Sequence, residues 1–70
     1  MVNLEALKNR VEDSGMSMTA IAEKSGILRE TLYNRLGGKG EFKASEILSL
    51  SEVLHLSDCE RNSIFFNKEV

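Results

Sequence analysis

Four polar side chains suited to recognition chemistry cluster between positions 29 and 34: Arg29, Glu30, Tyr33 and Asn34. On a helical wheel, Glu30 and Asn34 fall opposite an apolar stripe, and Arg29 and Tyr33 flank them. A guanidinium only donates hydrogen bonds, a carboxylate only accepts them, and an amide does both. The set is therefore suited to paired hydrogen bonds with a polar partner. An ordinary solvated helix face is the alternative interpretation.

The sequence offers no recognisable catalytic or cofactor-binding constellation. No nucleophile is paired with a base and an orienting residue. His55 and Cys59 are the single histidine and cysteine, too few for a zinc site. The stretch GGKG at 37–40 lacks the spacing and the Ser/Thr of a nucleotide phosphate loop. We expect no enzyme activity, no metal, no cofactor and no small-molecule ligand.

Charge is unevenly distributed along the chain. The net charge is −2, which does not by itself indicate nucleic acid as a partner. Residues 28–43, however, carry four basic and two acidic side chains, a sum of +2. Residues 1–27 sum to −1 and residues 44–70 to −3. The basic block coincides with the polar cluster.

Length and composition predict one small cytoplasmic domain spanning residues 1–70. A core of this size is marginal, and one cysteine excludes an internal disulfide. No apolar run reaches the ~18 residues of a membrane span. The first residues lack the pattern of a signal peptide. Helix packing, with self-association, is expected to stabilise the chain.

Apolar spacing predicts an all-α fold of five helices. Asn3, Ser17 and Ser57 are suitable N-caps, and Glu60 completes a capping box with Ser57. In the third helix the spacing of Leu28, Leu32 and Leu36 predicts one inward stripe. The fourth has a wide apolar face formed by Ile47, Leu48, Leu50, Val53 and Leu54. The predicted helices span about 3–13, 17–24, 28–36 and 44–55, with a fifth beginning at Ser57.

Gly26 interrupts two segments that otherwise favour helix. A glycine at a helix C-terminus accepts a positive φ without steric penalty. Ile27 is then expected to enter the core as a wedge between the flanking helices. A short helix, a turn of about three residues and a second short helix are the parts of a helix-turn-helix motif.

With these elements, the stretch MTAIAEKSGILRETLYNRL (18–36) resembles the Cro/CI-type (XRE-like) helix-turn-helix family, which includes phage repressors. The matching residues are Ile21, Ala22, Gly26, Ile27 and Leu32. The stretch EFKASEILSLSEVLHLS also resembles the family's fourth helix, and RNSIFF the end of its fifth. The resemblance covers roughly residues 4–66 and implies a lambda repressor-like, five-helix DNA-binding domain.

The resemblance implies that the third helix lies in the major groove. Carried over to this chain, the base contacts are Met18, Arg29, Glu30 and Asn34. Arg29 suits guanine, Asn34 suits adenine, and Glu30 either accepts from cytosine or holds Arg29 in place. Contacts to the DNA backbone are expected from Tyr33, Arg35, Lys39 and Lys43.

Two residues depart from the family pattern. Met18 stands where the family usually has glutamine, and Leu28 where a small hydroxyl residue commonly caps the third helix. Leu28 either packs inward, as the wheel predicts, or touches a thymine methyl; inward packing is favoured. Lys43 precedes the fourth helix where a Ser or Thr cap would suit Glu46, and is either a solvated residue or a phosphate contact.

The resulting hypothesis is a phage-type repressor that binds double-stranded operator DNA as a homodimer. Ile64, Phe65 and Phe66 spread over roughly 200° of the fifth helix, so one inward face cannot bury all three. We expect the exposed member to lie in a dimer interface formed by these residues; closure of the monomer's own core is the alternative. Two other functions stay open: an antitoxin-type autorepressor, and a protein-interaction module that keeps the fold without binding DNA.

Overall fold

A computed structural model describes residues 2–66, and this segment forms five α-helices and no strand. The all-α prediction is confirmed. The helices are α1 (Leu4–Asp13), α2 (Met18–Ser25), α3 (Arg29–Leu36), α4 (Ala44–Val53) and α5 (Asp58–Phe65).

Three helices begin where the sequence placed polar caps. Oδ1 of Asn3 accepts from the N–H of Ala6 at 3.1 Å, and Oγ of Ser17 accepts from Ala20 at the same distance. At α5 the capping box is complete: Ser57 Oγ accepts from the N–H of Glu60, whose carboxylate accepts from the N–H of Ser57 at 3.0 Å. That bond, and the nearby Arg10 guanidinium, lower the pKa of Glu60.

The end of α4 differs from the prediction. The helix was expected to reach His55 but ends at Val53, because His55 adopts φ +55°. The N–H groups of His55 and Leu56 donate to the carbonyls of Glu52 and Ser51. This pair of bonds closes a helix in a Schellman motif, in which glycine is usual at the left-handed position.

The core lies between all five helices. Central helix α2 packs against α3 and α4, α1 packs against α3 and α5, and α4 also contacts α5. Four side chains are almost fully buried: Leu7, Ile21, Leu32 and Leu50. The predicted wide apolar face of α4 is narrower than expected, since Leu48 is 57 % exposed.

The two ends of the described segment meet through α1 and α5. The N–H of Asn3 donates to the carbonyl of Ile64 at 2.7 Å. Phe65 is buried and packs edge-on against Phe42, with ring centroids 5.3 Å apart. Arg10 of α1 contacts the C-terminus of α4 and the first turn of α5. Its guanidinium lies 3.5 Å from the carbonyl of Leu54 and 3.4 Å from the carboxylate of Glu60.

Candidate nucleic-acid interface

The connection between α2 and α3 spans residues 26–28 and sets the direction of α3. Gly26 has φ +77°, and its N–H donates to the carbonyl of Ala22, which closes α2. Ile27 is 8 % exposed and belongs to the core cluster, as the wedge prediction required. The turn therefore packs Ile27 into the core and directs α3 so that one of its faces is exposed to solvent.

The outer face of α3 carries the predicted polar cluster. Arg29, Glu30, Tyr33 and Asn34 are all exposed, whereas Leu32 and Leu36 are buried beneath them. The four side chains thus form one continuous surface on two turns of helix. This surface presents donors, acceptors and one aromatic ring to solvent.

Arg29 is oriented by two neighbours. Its Nη1 donates to Thr19 Oγ1 on α2 at 3.1 Å, and its guanidinium carbon lies 5.9 Å from the centre of the Tyr33 ring. Arg29 is thus drawn toward α2 on one side and over an aromatic face on the other. Thr19 was not predicted from the sequence, because no periodic pattern links a residue of α2 to one ten positions later across a turn.

Leu28 does not pack inward, and that prediction is wrong. It is 76 % exposed, and its backbone is extended, with φ −60° and ψ 138°. Leu28 precedes the first residue of α3 as its N-cap. The helical wheel that assigned it to the Leu32 and Leu36 stripe does not apply to an extended residue.

Met18 contributes both to the packing of the core and to the surface beside α3. Its side chain is half-buried and packs against the core cluster. It lines a shallow groove of about 380 Å³ together with Val11, Tyr33 and Leu36. The groove brings Met18 next to Tyr33, so the first residue of α2 does border the outer face of α3.

Arg35 is engaged within the protein, which separates it from the other predicted backbone contacts. Its Nε lies 3.3 Å from Oε1 of Glu46, and the two side chains are only 18 % and 13 % exposed. The same carboxylate oxygen accepts from the N–H of Lys43 at 2.9 Å. Glu46 thus connects the end of α3 to the start of α4 and compensates the charge of Arg35.

Lys39 and Lys43 lie in the loop between α3 and α4, and both are exposed. Lys43 is the N-cap of α4, and its side chain makes no capping hydrogen bond. A lysine ammonium has no acceptor atom, so it cannot complete the box that Glu46 begins. The sequence had indicated that Lys43 occupies a position where a Ser or Thr cap would suit Glu46.

The C-terminal aromatic segment divides between core and surface. Ile64 and Phe65 are 5 % and 3 % exposed, and Phe66 is 52 % exposed. As expected, two of the three residues are buried and one is not. Ile64 and Phe65 are therefore unavailable as interface residues, and the predicted dimer surface is corrected to Phe66 alone.

The part of the chain that the structure describes contains no helix long and apolar enough to cross a membrane. Within the same residues, no three His, Cys, Asp or Glu side chains are grouped closely enough to hold a metal ion. Searches against models of protein families, curated proteins and solved structures return no match to this chain.

Proposed function

We propose that this protein is a sequence-specific DNA-binding regulator of the phage-repressor type, acting in the cytoplasm, with α3 as its reading helix. The observation that carries the proposal is the exposed face of α3, where Arg29, Glu30 and Asn34 stand beside one another after the Gly26 turn. An α-helix fits the major groove, which is about 12 Å wide. A helix-turn-helix protein inserts its second motif helix there.

The polar cluster contains side chains that discriminate bases. Arginine bonds guanine O6 and N7 together, and asparagine pairs with adenine N6 and N7. The bond from Arg29 to Thr19 supports the assignment of Arg29 to guanine, because it restricts the guanidinium before DNA arrives. Glu30 is free to accept from cytosine, and Met18 borders the same face.

Backbone contacts are proposed for Lys39, Lys43 and Tyr33, which are exposed around the reading helix. Neutralised phosphates release counterions and so set the salt dependence of binding. Arg35 is the weakest of the proposed backbone contacts, since Glu46 already compensates its charge. With a net charge of −2, non-specific affinity should be low, and base contacts should carry more of the specific affinity.

We further propose that two copies bind one operator. A single motif reads only a few base pairs, and symmetric dimers place two reading helices about 34 Å apart, one turn of DNA. Phe66 is the candidate contact between the copies, because it exposes an aromatic ring beside the end of α5. An antitoxin-type autorepressor would use the same interface and differ in its operon.

The test of the proposal is selection from a pool of random duplexes, followed by titration of the enriched sequence and of a scrambled duplex. Arg29→Ala should weaken binding to the enriched duplex by about 1–3 kcal/mol and relax preference at one base pair. The matched control is Arg61→Ala on α5, where the arginine pairs locally with Asp58; it should leave both affinities unchanged. Equal losses on both duplexes would instead make Arg29 a phosphate contact.

A protein-interaction module without DNA binding is the second candidate. The negative net charge and the internal pairing of Arg35 favour it. Failure to enrich any duplex, and no gel shift with random DNA at low salt and micromolar protein, would support this alternative and overturn the DNA-binding proposal.

A further inference from the structure

Leu28 departs from two local rules at once. Asn3, Ser17 and Ser57 cap their helices with a side-chain oxygen, but Leu28 has none to offer to α3. Its exposed fraction of 76 % is also larger than that of the other exposed large apolar side chains of residues 2–66. A position that loses a cap and exposes an apolar side chain is a candidate for function rather than for folding.

The surroundings of Leu28 leave its side chain projecting from the surface. Leu28 lines two shallow depressions, one toward α2 with Thr19 and Glu23, and one toward α4 with Thr31 and Lys43. The next residue is Arg29, which Thr19 orients. Leu28 therefore stands at the leading end of the face that carries the proposed base contacts.

We infer that Leu28 reads the 5-methyl group of a thymine in the major groove, close to the guanine contacted by Arg29. The inference rests on the proposed DNA-binding function and adds a specificity residue to it. The thymine methyl is the apolar group among the base edges of the major groove, and apolar side chains recognise it by contact. Leucine has no other means of discriminating bases.

The experiment replaces thymine by deoxyuridine, which removes only the methyl group. Each thymine of the enriched duplex is exchanged in turn, and binding is measured by fluorescence anisotropy. For the unaltered protein, one exchange per half-site should weaken binding about fourfold, the value of one buried methyl group. Leu28→Ala should bind the thymine and uracil duplexes with equal affinity. That affinity should match the affinity of the unaltered protein for the uracil duplex.

The matched control is Leu48→Ala, which truncates another exposed leucine, on α4; it should keep the full thymine preference. Leu28→Ser supplies the missing cap and gives a second measurement. It should raise the melting temperature by a few degrees while abolishing the thymine preference.

Three results would overturn the inference. A duplex that is enriched but insensitive to every thymine exchange would leave the DNA-binding proposal intact and remove Leu28 from readout. A Leu28→Ala variant that changes the sedimentation coefficient and keeps the thymine preference would make Leu28 a contact between protein copies. Failure to enrich any duplex would overturn the inference together with the proposed function. The first result differs from this one, because there a duplex is enriched and only the response to thymine exchange is absent.

Discussion

Gly26 and His55 occupy the same left-handed region of backbone space at the ends of α2 and α4, with φ +77° and +55°. Glycine tolerates this region freely, whereas an L-residue with a side chain pays roughly 1–2 kcal/mol for it. Beyond the adjoining backbone, no atom lies within 4 Å of where a Cβ on Gly26 would sit. The requirement for glycine at position 26 is therefore conformational and not a matter of space.

These two sites should respond to substitution in opposite directions. Gly26→Val should lower the free energy of unfolding by at least about 1–2 kcal/mol, and His55→Gly should raise it by about 1 kcal/mol. Urea or thermal unfolding followed by circular dichroism measures both. The control is Gly37→Ala, because Gly37 has φ −83° and only ordinary contacts around a Cβ; it should be close to neutral. A Gly26→Val variant of unchanged stability would contradict the conformation of the turn.

At the scale of the element, the start of α5 links helix capping to pH. The N–H of Ser57 donates to the Glu60 carboxylate and lowers the pKa of Glu60 below its ordinary value of 4.5. A carboxyl group whose pKa is lowered by folding stabilises the folded chain above its unfolded-state pKa. That stabilisation is lost as the pH falls through the folded-state pKa, so the affected window lies at and below about pH 4.5.

Glu60→Gln should therefore flatten the acid limb of the curve of melting temperature against pH. Glutamine keeps the carbonyl oxygen that accepts from Ser57 but does not titrate. Ser57→Ala is the comparison: it should lower stability by about 1 kcal/mol at neutral pH. It should keep most of the acid dependence that Glu60 contributes, because the N–H of residue 57, the main cause of the lowered pKa, is still present. An acid limb identical in the unaltered protein and Glu60→Gln would show that another carboxyl group is responsible.

At the scale of the whole molecule, Phe66 is the feature that a second copy would cover. One half-exposed ring is too small for an interface by itself, since stable interfaces bury at least about 1,000 Å² in total. Aromatic residues at the centre of an interface nevertheless account for much of its affinity. Phe66→Ala should accordingly raise the dimer dissociation constant by at least about tenfold.

Analytical ultracentrifugation at tens of micromolar tests this expectation. The unaltered protein should sediment as a dimer, Phe66→Ala should shift toward monomer, and Leu48→Ala should behave as the unaltered protein. A strictly monomeric unaltered chain, with or without DNA, would leave Phe66 as an exposed ring at the end of α5 and rule out the proposed dimer contact.

Local patterns account for most of the fold that the sequence predicted. The spacing of Leu32 and Leu36, the capping box at Ser57 and the glycine at position 26 are all signals within one or two helical turns. The misplaced residues are those at which the local pattern stops applying. Leu28 is extended, so a helical wheel does not describe it, and His55 is left-handed without being glycine.

The candidate site was predicted less completely because its contacts cross between elements. The exposure of Arg29, Glu30 and Asn34 could be predicted, because these residues lie opposite the apolar stripe of the third helix. The bond from Arg29 to Thr19 and the pairing of Arg35 with Glu46 depend on how α2, α3 and α4 meet. No spacing rule within one helix gives those partners.

The hydrogen bond from Asn3 to Ile64 joins the start of α1 to the end of α5 and so brings together the two ends of the described segment, residues 2–66. A cross-link stabilises a protein mainly by lowering the conformational entropy of the unfolded chain. For a loop of this length, the chain-entropy model gives a stabilisation of roughly 4 kcal/mol. A covalent link between the start of α1 and the end of α5 would act on the unfolded ensemble while leaving α3 and its outer face untouched. Such a link is therefore a route to a higher free energy of unfolding. A chain with a single cysteine cannot form it as an internal disulfide.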